Sequence, residues 1–302
     1  DGVPGTLKEN IATAGDPMPA GSAASSAPLA AQDAPPAARL REAGLVLLSK
    51  TTMPDWGMLS SGLSSFHRLA HNPWDLSRTP GGSSAGAGAA AAAGYGPLHV
   101  GTDIGGSLRL PASWCGIFTL KPSLGRVPID PPYMGRAAGP MTRSVSDAAL
   151  MLPVLAQPDA RDSMSLPAQA LDWAGVAGTP VEHLRGLRVG LLLEPGCGLP
   201  VEPEISAAVQ AAARLFEAAG AQVTPMRAFF TREMLDGLDH FWRMRSYLDL
   251  QALAPAQRER LLPYIRQWAE SAAAFDGPHV FKAYAQTHAT RVAAVAASAP
   301  FD

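Results

Sequence analysis

The sequence predicts an α/β layered fold, and two strand and helix alternations carry that prediction. A capped amphipathic segment at 33–44 runs into an apolar strand at 45–48. Further on, an apolar strand at 187–193 leads into a helical period and then an extended segment at 222–224. A third observation divides the chain by composition. A large share of its 29 glycines lies between Gly57 and Gly139, whereas 201–298 is rich in Ala, Leu, Glu, Gln and Arg. The first region is built for backbone geometry and the second for successive helices.

Taken in order, Asp33 precedes Pro35 and Pro36 and then Ala37, Leu40 and Ala43, which predicts a helix capped by Asp33 and closed at Gly44. Residues 45–48 read as a buried strand. A helix is expected to begin at Ala85, with Ser84 as a candidate cap. The 144–152 segment is predicted helical, with Ser144 as cap and Asp147 in the capping-box position. After the 187–193 strand, Glu202 and Glu204 open a helix with Ile205, Val209, Ala212, Leu215 and Phe216 on one face. It ends at Gly220. Late helices are predicted over 237–252, 255–272 and 275–296, with Pro255, Pro263 and Pro278 as candidate interruptions.

Composition excludes several classes. Apolar residues make up 47% of 302 and charged residues 17%, and 24 Lys plus Arg nearly balance 26 Asp plus Glu. That argues against a disordered chain or a basic nucleic-acid binder. Two cysteines, Cys115 and Cys197, build neither a disulfide framework nor a thiolate cluster, and fit a reducing compartment. The small-residue run at 85–94 is too short to span a bilayer, and 1–10 carries no signal-peptide pattern. The chain reads as beginning inside a domain and stopping without a capping turn, so an incomplete domain is expected.

Three segments stand out: Gly2 to Lys8, with Lys8 one of only four lysines; Gly81-Gly82-Ser83-Ser84-Ala85-Gly86; and Gly101-Thr102-Asp103-Ile104-Gly105-Gly106-Ser107-Leu108-Arg109. Taken alone, Lys8 reads as a surface lysine and the glycines as tight turns. Neither a P-loop nor a dinucleotide fingerprint is present. Gly82 to Gly86 does match Gly-x-Ser-x-Gly, with Ser84 in the nucleophile position, but no strand leads into it. No histidine among His99, His183, His240, His279 and His288 sits in a marked base pattern. The chemistry that would use all three segments is amide hydrolysis by a serine whose base is a lysine. Serine needs an adjacent base, and lysine serves only when burial or nearby cations leave it neutral. A second hydroxyl can then relay the proton, and glycines before Ser107 let backbone N–H groups approach an oxyanion.

On these residues the chain resembles the amidase signature family. The match runs from Gly81 to about Pro122, upstream through Lys8, Asn10, Gly15, Gly44 and Lys50-Thr51, and downstream through Gly125-Arg126-Val127, Gly139-Pro140 and Ser144 to Ala148. The resemblance implies a single domain over 1–302, with signature core at about 81–122 and late helical region at about 202–298. Its fold would be a central twisted mixed β-sheet flanked by helices on both faces, here incomplete. It implies Lys8 as general base, Ser83 as bridging serine after a cis peptide from Gly82, and Ser107 as acylated nucleophile. The backbone of Ile104, Gly105, Gly106 and Ser107 would form the oxyanion hole. Ser84 would support the site, and Asp103 with Arg109 would form an ion pair bracing the nucleophile loop. Glu9 stands where Asp is usual, Ala85 where Gly is frequent, and the 49–56 segment departs from the family pattern.

The implied activity is hydrolysis of a linear carboxylic acid amide to acid and amine or ammonia, with a small-molecule amide substrate and no cofactor or metal. No nucleic acid or membrane partner is implied, the location is cytoplasmic, and a homo-oligomer stays open. The alternatives are the glutaminase subunit of a tRNA-dependent amidotransferase and a non-catalytic truncated family member. Cys115 is expected to be dispensable for the chemistry.

Overall fold

The computed structural model describes residues 2–302, so Asp1, the first residue of the predicted 1–302 domain, lies outside them. In chain order the elements are β1 (Pro4–Lys8), α1 (Pro35–Glu42), β2 (Val46–Thr51), α2 (Ala85–Ala93), β3 (Leu98–Asp103), α3 (Arg109–Cys115), β4 (Phe118–Thr119), β5 (Ala137–Thr142), α4 (Val145–Leu155) and α5 (Trp173–Ala177). They continue with β6 (Arg188–Leu191), α6 (Pro203–Ala218), β7 (Gln222–Pro225), α7 (Arg232–Gln251), α8 (Pro255–Arg258), α9 (Pro263–Glu270) and α10 (Gly277–Ser298). The chain divides into two compact units, Asp1–Gly178 with Ala254–Ile265, and Thr179–Leu253 with Arg266–Asp302.

The first unit holds a mixed five-stranded sheet in the order β2-β1-β3-β5-β4. β1 pairs in parallel with β2 and β3, and β5 runs antiparallel to β3 and β4. Alternation along the strands sends Leu7, Leu98, Val100 and Ala138 to one face, where Ala37 and Leu40 of α1 and Met151 and Leu155 of α4 cover them. On the other face Met141 packs with Ala87 of α2 and with Leu108, beside α3. Burying each large side chain contributes about 1.5–3 kcal/mol. The predicted mixed sheet with helices on both faces is therefore present.

Local expectations fare unevenly. Ser144 caps α4 as predicted, its hydroxyl accepting from the Asp147 amide. Asp33 does not cap α1: Ala34 holds that position, and the Asp33 carboxylate accepts from the Ala14 amide and pairs with Arg41. The predicted buried strand at 45–48 is an edge strand, β2, with Leu48 56% exposed, because only β1 pairs with it. Ser84 precedes α2 without a side-chain cap.

In the second unit β6 and β7 pair in parallel across α6, which is the predicted strand, helix and strand. Pro263 does break the predicted 255–272 helix, giving α8 and α9. Pro278 instead sits in the first turn of α10, behind the Asp276 cap. Thr231 caps α7, six residues before the predicted start at 237. Among the described residues no helix is long and apolar enough to cross a membrane.

Candidate active site

Lys8, Thr102 and Asp103 end β1 and β3, neighbouring strands of the sheet. Ser83 and Ser84 lie just before α2, and Ser107 just before α3. The site therefore assembles where two strands give way to loops and two helices begin. The Gly82–Ser83 peptide is cis, as the resemblance implies. Gly82 is required by crowding, since a Cβ there would lie 2.5 Å from the Ser61 backbone nitrogen.

Three side chains form one hydrogen-bonded line. Lys8 Nζ donates to Ser83 Oγ at 2.8 Å, and Ser83 Oγ donates to Ser107 Oγ at 2.9 Å. Lys8 is 1% exposed and Ser83 4%, whereas Ser107 is half-buried, so the line runs from the interior outward. Lys8 also donates to Thr102 Oγ1 at 3.1 Å, a hydroxyl that Asn10 Nδ2 reaches at 3.0 Å. Burial, with the Arg136 charge behind it, pushes the Lys8 amine down to about 7 against the opposing pull of Asp103 and Glu9. Near neutrality the amine therefore has a lone pair to offer Ser83, and hydroxyl hydrogens can rotate to reverse the line.

Asp103 organises the loop that carries Ser107. One carboxylate oxygen accepts from the Gly106 amide at 2.9 Å and the other from the Leu108 amide at 3.0 Å, while Arg109 grips both oxygens at 2.9 and 3.0 Å. Burial alone would raise this carboxyl; Arg109 and the two amides hold it below its ordinary value. Such charge-assisted bonds contribute about 1.5–3 kcal/mol each. The predicted bracing pair is thus present.

That brace corrects one expectation. The Gly106 amide, predicted as an oxyanion donor, is buried and already given to Asp103. Among the described residues the amides of Ile104, Gly105 and Ser107 make no hydrogen bond, and all three residues are at least partly exposed. Gly106 serves through its backbone, at φ +120°, where a side chain would be strained.

Ser84 is fully buried, and its hydroxyl donates to the Thr102 carbonyl at 3.0 Å and accepts from the Thr102 amide at 3.2 Å. It fastens the serine loop to β3, which removes the Gly-x-Ser-x-Gly nucleophile reading. His99 is buried with both ring nitrogens partnered, by Thr6 and the Gly96 carbonyl, and burial lowers its pKa. Lys50 pins the end of β2 to the Ile11 carbonyl and Thr13. Sequence reasoning missed Thr102, which its place just before the Asp103 loop could have signalled, and Arg136, for which no motif spoke. It noted Glu9 only as a departure; His67 holds that carboxylate at 2.7 Å.

The profile of the Amidase family matches residues 1–263. The chain belongs to the amidase signature family. A glutamyl-tRNA(Gln) amidotransferase subunit from Chromohalobacter salexigens is 42% identical over 231 residues, covering 74% of this chain and 46% of that protein. A bacterial aryl acylamidase of the amidase signature family superposes with a TM-score of 0.87 at 28% identity, over 99% of this chain and 64% of its own. The peptide amidase of Stenotrophomonas maltophilia gives 0.78 at 30% identity, over 93% and 63%. This family member spans about half the length of its curated relatives.

Proposed function

We propose that this amidase signature chain hydrolyses a linear carboxylic acid amide through an acyl-enzyme on Ser107. The observation that carries the reading is the unbroken Lys8–Ser83–Ser107 line, which ends on an amine held near 7. Neutral Lys8 accepts the Ser83 proton while Ser83 accepts that of Ser107, and Ser107 Oγ bonds to the amide carbonyl carbon. The oxyanion falls to the amides of Ile104, Gly105 and Ser107, each such donor contributing about 3 kcal/mol in the best-studied serine protease case. Lys8 returns the proton through Ser83 to the leaving nitrogen, the C–N bond breaks, and the acid remains as an ester of Ser107. Water then attacks that ester, giving its proton to the same relay, and the acid leaves as Ser107 regains its hydrogen.

Residues 1–302 are read as part of one amidase signature domain with its signature core at about 81–122. A cytoplasmic location accords with the two free cysteines. A second reading, a glutaminase subunit of a tRNA-dependent amidotransferase, is favoured by the names of the curated relatives. Turnover of an aryl anilide against glutamine separates the two. Release of arylamine, with a burst that Ser83→Ala slows about a hundredfold, is expected of the leading reading; turnover of glutamine alone would transfer the proposal to the second.

A further inference from the structure

Lys8 has a charged neighbour that the relay does not use. Arg136 immediately precedes β5, and the β3 and β5 register pairs Ala137 with Asp103 and Ala138 with Thr102. Residues two apart in a strand share a face, so this register aims position 136 to the Thr102 side of the sheet, at the end of β3. Arg136 and Thr102 do line one cavity of about 10 Å³, with Asn10 and Asp130. Thr102 joins that cavity to Lys8, because its hydroxyl takes hydrogen bonds from both Lys8 and Asn10. The Arg136 amide donates to the Tyr133 carbonyl at 3.0 Å and its guanidinium carbon lies 4.8 Å from the Tyr133 ring centroid, which holds the head in place.

We propose that Arg136 is a positioning residue for Lys8: its permanent positive charge, held across the Asn10 and Thr102 cavity, adds to burial in keeping the lysine amine in the unprotonated form that accepts a proton from Ser83. The inference rests on the reading of Lys8 as base. A guanidinium stays charged throughout the working range, so its field acts at every pH where Lys8 changes state. The groups facing Lys8 from each neighbouring element set the balance. Glu9, in the turn just after β1, and Asp103 on β3 favour the ammonium, but His67 occupies the first and Arg109 the second. α2 is built of Ala and Gly and brings no charge. Lys50 on β2 turns its head to Ile11 and Thr13. Asp130 lines the cavity and tempers the Arg136 field.

The chain has four lysines, at 8, 50, 121 and 282, so protein labelled with ¹³C at lysine Cε gives four titration curves, assigned with Lys8→Met and Lys50→Met. The Lys8 midpoint is expected near 7 in the parent chain. Arg136→Leu should raise it by about half a pH unit or more, some threefold in the proton affinity. Arg136→Lys should leave it near the parent value, and the Lys50 midpoint, near 8, should not move in either variant. An unmoved Lys8 midpoint in folded Arg136→Leu, with the Lys121 and Lys282 signals unchanged, overturns the proposal. If the leucine variant does not fold, Arg136→Gln keeps length and polarity and gives the same comparison. The readout needs no turnover: a shifted Lys8 midpoint alongside failed Ser107 acylation would fault the nucleophile and leave Arg136 in its role.

Discussion

The two compact units differ most in where their apolar side chains end up. In the first, Leu7, Val100, Leu108, Met141 and Leu155 are almost wholly buried around strands whose sequences carry Gly, Thr and Pro. In the second, α6 shows the clean helical period of Ile205, Val209 and Phe216 yet buries none of its residues, and α10 buries only Ala283. Amphipathic pattern and burial are therefore separate properties here. A dense surround is what lets the first unit hold a lysine amine and a carboxylate away from water, each fixed by named partners.

The largest effect expected of any substitution is in that surround. Ser107→Ala should lower amide turnover on the order of a thousandfold or more; turnover near the parent rate in a folded variant would remove the nucleophile role. Lys8→Met should stop most turnover at neutral pH and, in the same step, stabilise the fold. Lys8 has a folded pKa below its unfolded value, so the unfolded chain binds more protons between about 7 and 10.5 and stability rises with pH across that window. Methionine removes that dependence. Its advantage in thermal unfolding should be greater at pH 6 than at pH 9, by roughly 2–3 kcal/mol. An equal advantage at both values would mean that Lys8 is not held neutral.

A paired truncation sharpens the contrast between units. Leu7→Ala, at 1% exposure in β1, should destabilise by about 2–5 kcal/mol in chemical denaturation. Ile205→Ala, at 57% exposure in α6, should stay within about 0.5 kcal/mol. A large loss at Ile205 would show its face covered in solution. The smallest effect belongs to Cys115. Burial pushes that thiol up to about 11 and its Sγ donates only to the Pro80 carbonyl, so Cys115→Ser should leave Ser107 acylation intact, as peptide mapping can check.

Legibility followed the same division. The second unit was readable as elements, because apolar period and the prolines act locally, although the Thr231 cap that starts α7 was missed. Of the central sheet, only β2 was, through the apolar run at 45–48. Pro4-Gly5-Thr6-Leu7-Lys8 and Ala137 to Thr142 look like turn and loop by composition, and become strands because Leu7 and Ala138 find a shared core across distant sequence. The site was readable through the family resemblance, which named Lys8, Ser83 and Ser107, and the three meet in space. What escaped was the role of backbone already spoken for, as with Gly106, and of a charge outside every motif, Arg136, whose meaning comes from register. Asp33 shows the local capping rule losing to other partners, the Ala14 amide and the Arg41 guanidinium.

The most direct test is intact-mass spectrometry with peptide mapping after exposure to a serine-reactive fluorophosphonate. A single adduct on Ser107, absent in Ser107→Ala and slow to form in Lys8→Met, is the predicted result. An adduct on Ser84, or labelling of Ser107 that proceeds unchanged without Lys8, would contradict the Lys8–Ser83–Ser107 relay.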